Sequence, residues 1–256
     1  MSYETIQVEK REGVVIITLN RPDVLNALNR KMVEELRKAI ADVATDETVR
    51  VLVLKGAGRA FCAGGDVKMM ASGDISDIIA EAAKLALDIQ NLAKPVIASV
   101  NGPAVGAGCN LALACDLVLA SDNARFSEVF VNIGYTPDMG GTYFLPHLVG
   151  PHKAKELIFT GRMVDANEAE KIGLVNKVVP AEKLEEETMS LAKKLAEGPT
   201  VAYAMAKRAI MRAFWLDLAS ALDQELLGCI QCTKTQDFKE GINAFLEKRK
   251  PKFIGK

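Results

Sequence analysis

From Pro95 to Cys115 the chain carries no charged side chain, and no other stretch restricts its fold so strongly. A run of that length is long enough on paper to cross a bilayer. Its composition argues otherwise. Pro95 and Pro103, Asn101 and Asn110, and the glycines at 102, 106 and 108 would break a spanning helix and leave polar groups without partners in lipid. The run therefore belongs inside a folded core. It reads as a buried strand (Val96 to Val100), a turn (Asn101-Gly102-Pro103) and a short apolar helix (Gly108 to Ala114).

The rest of the chain repeats that alternation. Val14 to Leu19 is a β-branched buried strand, and Asn29 caps a helix whose apolar stripe is Met32, Val33, Leu36, Ile40 and Val43. A second buried strand, Val49 to Leu54, runs into a glycine-rich loop from Gly56 to Asp66. Ile75 to Leu92 is helical by periodicity, and Leu117 to Ala120 is a further strand. Strands separated by helices predict an α/β fold with a largely parallel sheet. Beyond residue 145 the pattern turns helical. Asp165 and Glu168 form a capping box, Leu174 to Val179 is a last strand, and helices follow over about 181–198, 200–214, 217–232 and 236–248. The simplest division is a core domain at 1–195 and a helical region at 196–256.

Composition narrows the function. A net charge of −1 leaves no footprint for nucleic acid. Five cysteines, an odd number, and an opening MSYETIQVEK with neither an apolar leader nor an Arg/Ser-rich presequence fit a reduced, cytoplasmic protein. Gly56-Ala-Gly58 and Gly106-Ala-Gly108 each lack the third glycine of a dinucleotide fingerprint, which would fall at Phe61 and Leu111. Cys229-x-x-Cys232 has no second pair at metal spacing, so packing is its expected role. The only histidines, His147 and His152, lie together in a helical stretch, a poor basis for a Ser-His or Cys-His nucleophile.

Two glycine-rich turns that leave buried strands remain: Ala63-Gly64-Gly65-Asp66 and Ala104-Val105-Gly106-Ala107-Gly108. Glycine allows close backbone approach and frees amides to point outward. The second turn also opens a helix, whose first N–H groups lack internal partners. Two such amides converging on one oxygen would form an oxyanion hole, although the spacing suits two plain strand–helix turns equally well.

Six blocks in order resemble the enoyl-CoA hydratase/isomerase (crotonase) superfamily over essentially the whole chain: LNRPDVLNAL (19–28), GRAFCAGGDV (58–67), KPVIASVNGPAVGAGCNLALACD (94–116), GYTPDMGGTYFLPHLVG (134–150), TGRMVDANEAEKIGLVNKVV (160–179) and EGINAFLEKRKPKF (240–253). The resemblance implies a spiral of ββα units, C-terminal helices that build a homotrimer or dimer of trimers, and an acyl-CoA thioester as substrate. It implies no covalently bound cofactor, coenzyme A being the carrier part of the substrate. It places the oxyanion amides at Gly65 and Ala107, the latter in place of the usual glycine. The adenosine end of coenzyme A is expected beside Asn26, Ala27 and Leu28 and the loop of Ala63, Gly64, Gly65, Asp66 and Val67. Arg21, Lys250 and Lys252 would serve its phosphates, the two lysines from a neighbouring subunit. Met69, Met70, Ile75 and the 129–136 segment, with Phe130, Ile133 and Tyr135, are expected to wall the acyl pocket.

The acid–base residues depart from the family's hydratases, which carry one Glu two residues after the second turn and another about twenty residues on. These positions here are Asn110 and Phe130, neither able to take a proton, with Glu128 two residues before the second. Asp138, in Thr136-Pro137-Asp138-Met139-Gly140-Gly141, stands where the hydratases commonly have Gly. Branches that shift double bonds carry Asp there, and the PDxGG pattern resembles the ring-epoxide phenylacetyl-CoA isomerase branch most. The expectation is an isomerase with Asp138 as acid and base and Phe130 as part of an apolar wall raising its pKa. Other readings are a hydratase with water held by Asn110 and Asp138, a nucleophilic Asp138, a non-catalytic CoA binder or RNA binder, and Asp138 as a mere cap for the helix from Gly140.

Overall fold

The structure is a computed structural model that describes residues 3–71, 73 and 75–256. Its strands are β1 (Ile6–Arg11), β2 (Val14–Leu19), β3 (Val51–Gly56), β4 (Val96–Val100), β5 (Pro103–Val105), β6 (Leu117–Ser121), β7 (Arg125–Ser127), β8 (Val164–Asp165) and β9 (Lys177–Val179). The helices are α1 (Arg30–Thr45), α2 (Val67–Met70), α3 (Ser76–Asn91), α4 (Ala107–Leu113), α5 (Gly141–Val149), α6 (Pro151–Thr160), α7 (Ala166–Lys171), α8 (Leu184–Ala196), α9 (Thr200–Ala213), α10 (Leu218–Thr233) and α11 (Gln236–Leu246). The larger sheet has the order β1-β2-β3-β4-β6-β9, and a small sheet β5-β7-β8 stands beside it. From β2 to β9 the large sheet is parallel; only β1 pairs antiparallel, at the edge.

The period of two in the strands explains the layering. Val15, Ile17, Leu52, Leu54, Val96 and Ala98 face a core built with Met32, Leu36 and Ile40 of α1 and Leu85 and Ile89 of α3. Val14, Ile16, Val51, Val53 and Ile97 face the other way, onto Leu184 and Ala192 of α8. A sheet covered on both faces needs apolar residues at every position, which is why these strands read as continuous runs. Strand β1 was not anticipated: only its first residue, Ile6, is buried. The small strands β5, β7 and β8 were also missed, being too short for a periodic signal.

The uncharged 95–115 run is indeed interior. It forms β4, a turn, β5 and α4, and all seven residues of α4 are buried. Among the described residues no helix is long and apolar enough to cross a membrane. The C-terminal helices are different in character. Trp215, Leu218, Leu222, Leu226 and Leu227 are exposed on and before α10, and Phe245 and Leu246 at the end of α11.

Candidate active site

The two glycine-rich turns meet. Strand β3 ends at Gly56, and the loop beyond it bridges Cys62 to Ala104 of β5 and Gly65 to Leu28. Gly64 has φ +96°, and a Cβ there would lie 2.8 Å from the Val105 carbonyl oxygen and 3.7 Å from the Ala107 nitrogen. Gly108 is pressed so close that a Cβ would overlap the Cys62 carbonyl. Only glycine permits both approaches. The result places the Gly65 and Ala107 amides on adjoining turns, with neither N–H donating to a backbone acceptor among the described residues. Ala107 heads α4, so its N–H is one of the orphan donors of a helix start.

One turn into α4, Asn110 is fully buried. Its Nδ2 donates to the Asp138 carbonyl at 3.0 Å and, more weakly, to Glu128 Oε2 at 3.4 Å. The Asp138 side chain does not cap α5. Gly140 occupies the cap position without a side-chain bond, and the link from Asp138 to the helix is its own carbonyl, which accepts the Gly141 N–H at 2.9 Å. The Asp138 carboxyl is thus free of the structural duty that would account for it. Burial pushes its pKa up to about 6.

Asp138 was the carboxylate expected to do the chemistry, but a second lies beside it. Glu128, directly after β7, is 2% exposed and turned inward onto Cys109 and Asn110. Burial, aided by the charge of Asp138, raises its pKa to about 7, against hydrogen bonds from Asn110 and the Cys109 thiol. Burial and the Glu128 charge in turn push the Cys109 thiol well above its usual range, so it stays a donor. Asn110 Oδ1, Glu128 Oε1 and Asp138 Oδ1 are buried and accept no hydrogen bond from the described residues. A signal existed in the sequence: Glu128 is the one charged residue between Arg125 and Asp138.

Other expected site residues fall out unevenly. Phe130 is buried, its ring lying over Gly106 and 6.0 Å from that of Tyr135. Tyr135 is close enough to feel the charge of Asp138, which with burial raises its pKa. Met70 reaches Gly65 through its sulfur, and Met69 and Ile75 pack against the main core. Ile133 is 62% exposed and walls nothing within this chain, since the turn before Gly134 faces it outward. A cavity of about 760 Å³ lies instead between α3, α5 and α9, lined by Ala86, Gln90, Gly140, Tyr143, Phe144 and Met205. It starts two residues beyond Asp138 and includes none of the expected pocket walls.

Several residues assigned to coenzyme A have inward duties. The Asn26 side chain is fully buried, accepting from Arg21 N and donating to the Ala57 and Ala60 carbonyls. Arg21 holds the Ala27 carbonyl at 2.6 Å and Asp66 Oδ2 at 2.9 Å. Asp66 also caps α2, with Val67 exposed at its start. Leu28 is buried and bonds both ways to the loop, its N–H to Gly64 O at 2.7 Å and its carbonyl accepting from Asp66 N at 2.9 Å. These residues brace the loop, and Arg21, expected to serve the phosphates, is paired here with Asp66. Lys250 pairs with Glu197 at 3.2 Å, and the C-terminal segment lies against Arg50, at the start of β3. The loop leaves the far end of that strand, so one chain does not bring Lys250 and Lys252 to it. No group of three or more His, Cys, Asp or Glu among the described residues is arranged to hold a metal.

Comparison with known proteins points to one family. A family model described as enoyl-CoA hydratase/isomerase matches residues 9–256. A crotonyl-CoA hydratase of Syntrophomonas wolfei is 40% identical, the match covering 100% of both chains. A trans-2-decenoyl-[acyl-carrier-protein] isomerase of Streptococcus mutans is 37% identical, again over 100% of both. The crystal structure of an enoyl-CoA hydratase from Bacillus anthracis superposes with a TM-score of 0.95 at 36% identity, covering 99% of this chain and 100% of that one.

Proposed function

We propose that this chain, which belongs to the enoyl-CoA hydratase/isomerase family, is an acyl-CoA isomerase that moves a double bond with Asp138 as its acid and base. The observation that carries the reading is Asp138 itself: a half-buried carboxylate with its pKa pushed up to about 6, no capping duty and one buried, unpartnered oxygen. Hydratase names among the relatives weigh the other way. The chemistry at the two positions where the family's hydratases hold glutamates, Asn110 and Phe130, outweighs them, because neither side chain can transfer a proton.

The mechanism uses the chain's own groups. The thioester oxygen accepts hydrogen bonds from Gly65 N–H and Ala107 N–H, each such donor being worth ~3–4 kcal/mol of barrier. Negative charge gathers on that oxygen as Asp138 takes a proton from one carbon. Asp138 then returns the proton to another carbon, and the double bond has moved with nothing added or lost. A pKa of about 6 leaves Asp138 ionised near neutrality and still able to give the proton back. Arg21 and Asn26 support the Ala63–Asp66 loop in this scheme, while Lys250 and Lys252 reach the coenzyme A phosphates from a neighbouring subunit. The exposed apolar side chains of α10 and α11 supply the contacts of a trimer or dimer of trimers, with the core domain ending near residue 195.

Three buried acceptor atoms, on Asn110, Glu128 and Asp138, favour one second reading, in which they hold a water that adds across the double bond. A panel of unsaturated acyl-CoAs turned over in heavy-oxygen water separates the two. The isomerase gives a product of unchanged mass. Faster incorporation of solvent oxygen than double-bond migration refutes it. Asp138→Asn cuts turnover ~10²–10⁴-fold, the usual worth of one general base, with acyl-CoA binding little changed; full activity in that variant refutes both readings.

A further inference from the structure

The isomerase reading, on which this inference rests, employs Asp138 and leaves Glu128 idle. Yet Glu128 is the more deeply buried of the two carboxylates. Three side chains bear on its carboxyl group. From α4 come the Cys109 thiol and the Asn110 amide. The loop before α5 brings Asp138, whose field also reaches Tyr135. No cationic group among the described residues offsets either carboxylate. One oxygen of each, like Asn110 Oδ1, is buried and accepts nothing from the described residues. A single proton on Glu128 turns one of these acceptors into a donor and removes a charge that has no counter-ion.

The geometry points to Glu128 as a positioning residue that is protonated whenever an acyl group covers the site: acyl-CoA binds the enzyme form in which Glu128 is the neutral acid and Asp138 the only anion. The physical reason is desolvation. An apolar acyl group laid over Asp138 excludes the water that would otherwise stabilise two neighbouring negative charges, and burying uncompensated charge costs several kcal/mol per ion. One charge is needed for the chemistry; the second is discarded by taking a proton from solvent. No bond of the substrate changes in this step. Burial pushes the Glu128 pKa up to about 7, so the uptake falls where it alters binding at ordinary pH.

The test measures binding of butyryl-CoA, which has no double bond to move or hydrate, with free coenzyme A as reference. Wild-type Kd for butyryl-CoA, relative to coenzyme A, rises about tenfold per pH unit above about 7, the signature of one linked proton. Calorimetry in two buffers of different ionisation heat gives the proton uptake directly. Glu128→Gln, close in shape and permanently neutral, flattens the pH dependence. In steady state the same linkage appears as KM rising with pH while kcat holds. A wild-type Kd ratio that is flat with pH, an absence of butyryl-CoA binding, or an undiminished slope in Glu128→Gln each overturns the proposal. The wild-type calorimetry decides the matter should the variant fail to fold. Proton-linked binding in an enzyme that moves no double bond would overturn the isomerase reading and leave this one standing.

Discussion

Replacing Glu128 by Gln should stabilise the protein above neutral pH and leave it unchanged in acid. A carboxyl whose pKa is raised on folding keeps its proton in the native state while the unfolded chain has released it. Its contribution to stability is full below the unfolded value and is lost as pH rises through the folded one. For Glu128 that window runs from 4.5 to about 7. A displacement of that size corresponds to roughly 3 kcal/mol against the ionised form. Gln stays neutral throughout, and its amide can donate where a carboxylate cannot, so most of that cost vanishes at pH ~8 while no gain appears at pH ~4. For a chain of 256 residues, recovering about 2–3 kcal/mol raises Tm by roughly 5–10 °C. Thermal unfolding of both proteins across that pH range measures the difference, and charges common to the two cancel. A variant that is less stable at pH ~8, or equally stabilised at both ends, would show that Glu128 is ionised and supported in the fold. The argument from uncompensated burial would then fail. A gain here alongside altered catalysis is what a site that stores an unfavourable group for function should give.

Two other changes probe the frame around the site. Gly108→Ala drives a methyl into the Cys62 carbonyl, where backbone on both sides prevents relief; the two amide-bearing turns should separate, with a loss of several kcal/mol in urea unfolding and of turnover together, and a variant of normal stability would refute the close approach. Lys250→Glu combined with Lys252→Glu should weaken coenzyme A binding and reduce its salt dependence, and the ion pair of Lys250 with Glu197 that it breaks is an exposed one. Unchanged affinity and salt dependence would rule out their delivery from a neighbour. Light scattering at micromolar concentration should give three or six copies, and a monomer would leave the exposed leucines of α10 without the partner assigned to them.

The buried parallel strands were legible because burial on both faces leaves a local trace: continuous runs such as VVIITL and VIASV. The helices announced themselves by stripe and cap. Asn29 accepts from Met32 N, and Asp165 from Glu168 N, as the sequence suggested. Strand β1 left no such trace, since it earns its place by pairing with β2 and buries only Ile6. The two glycine turns could be located but not joined from sequence alone. Their meeting depends on Gly64 and Gly108 allowing backbone contact between segments about forty residues apart, which no local pattern encodes.

Side-chain roles were the hardest to read, for a reason visible at Asn26 and Glu128. Residue type gives what a group can do, whereas direction decides what it does. Asn26 can bind a ligand, but its side-chain amide is committed to Arg21, Ala57 and Ala60. Glu128, two residues before the apolar Phe130, looked incidental in sequence, because its neighbours Val129 and Phe130 carry no charge to compare it with. That apolar setting is itself the physical clue. A carboxylate among Phe126, Val129 and Phe130 must either point to solvent or bear the cost of burial. With β7 packed between β5 and β8 and α4 against its end, solvent is not within reach. The cost is borne, and a carboxyl group kept inside at that expense, beside Asp138, is more simply explained by use than by packing.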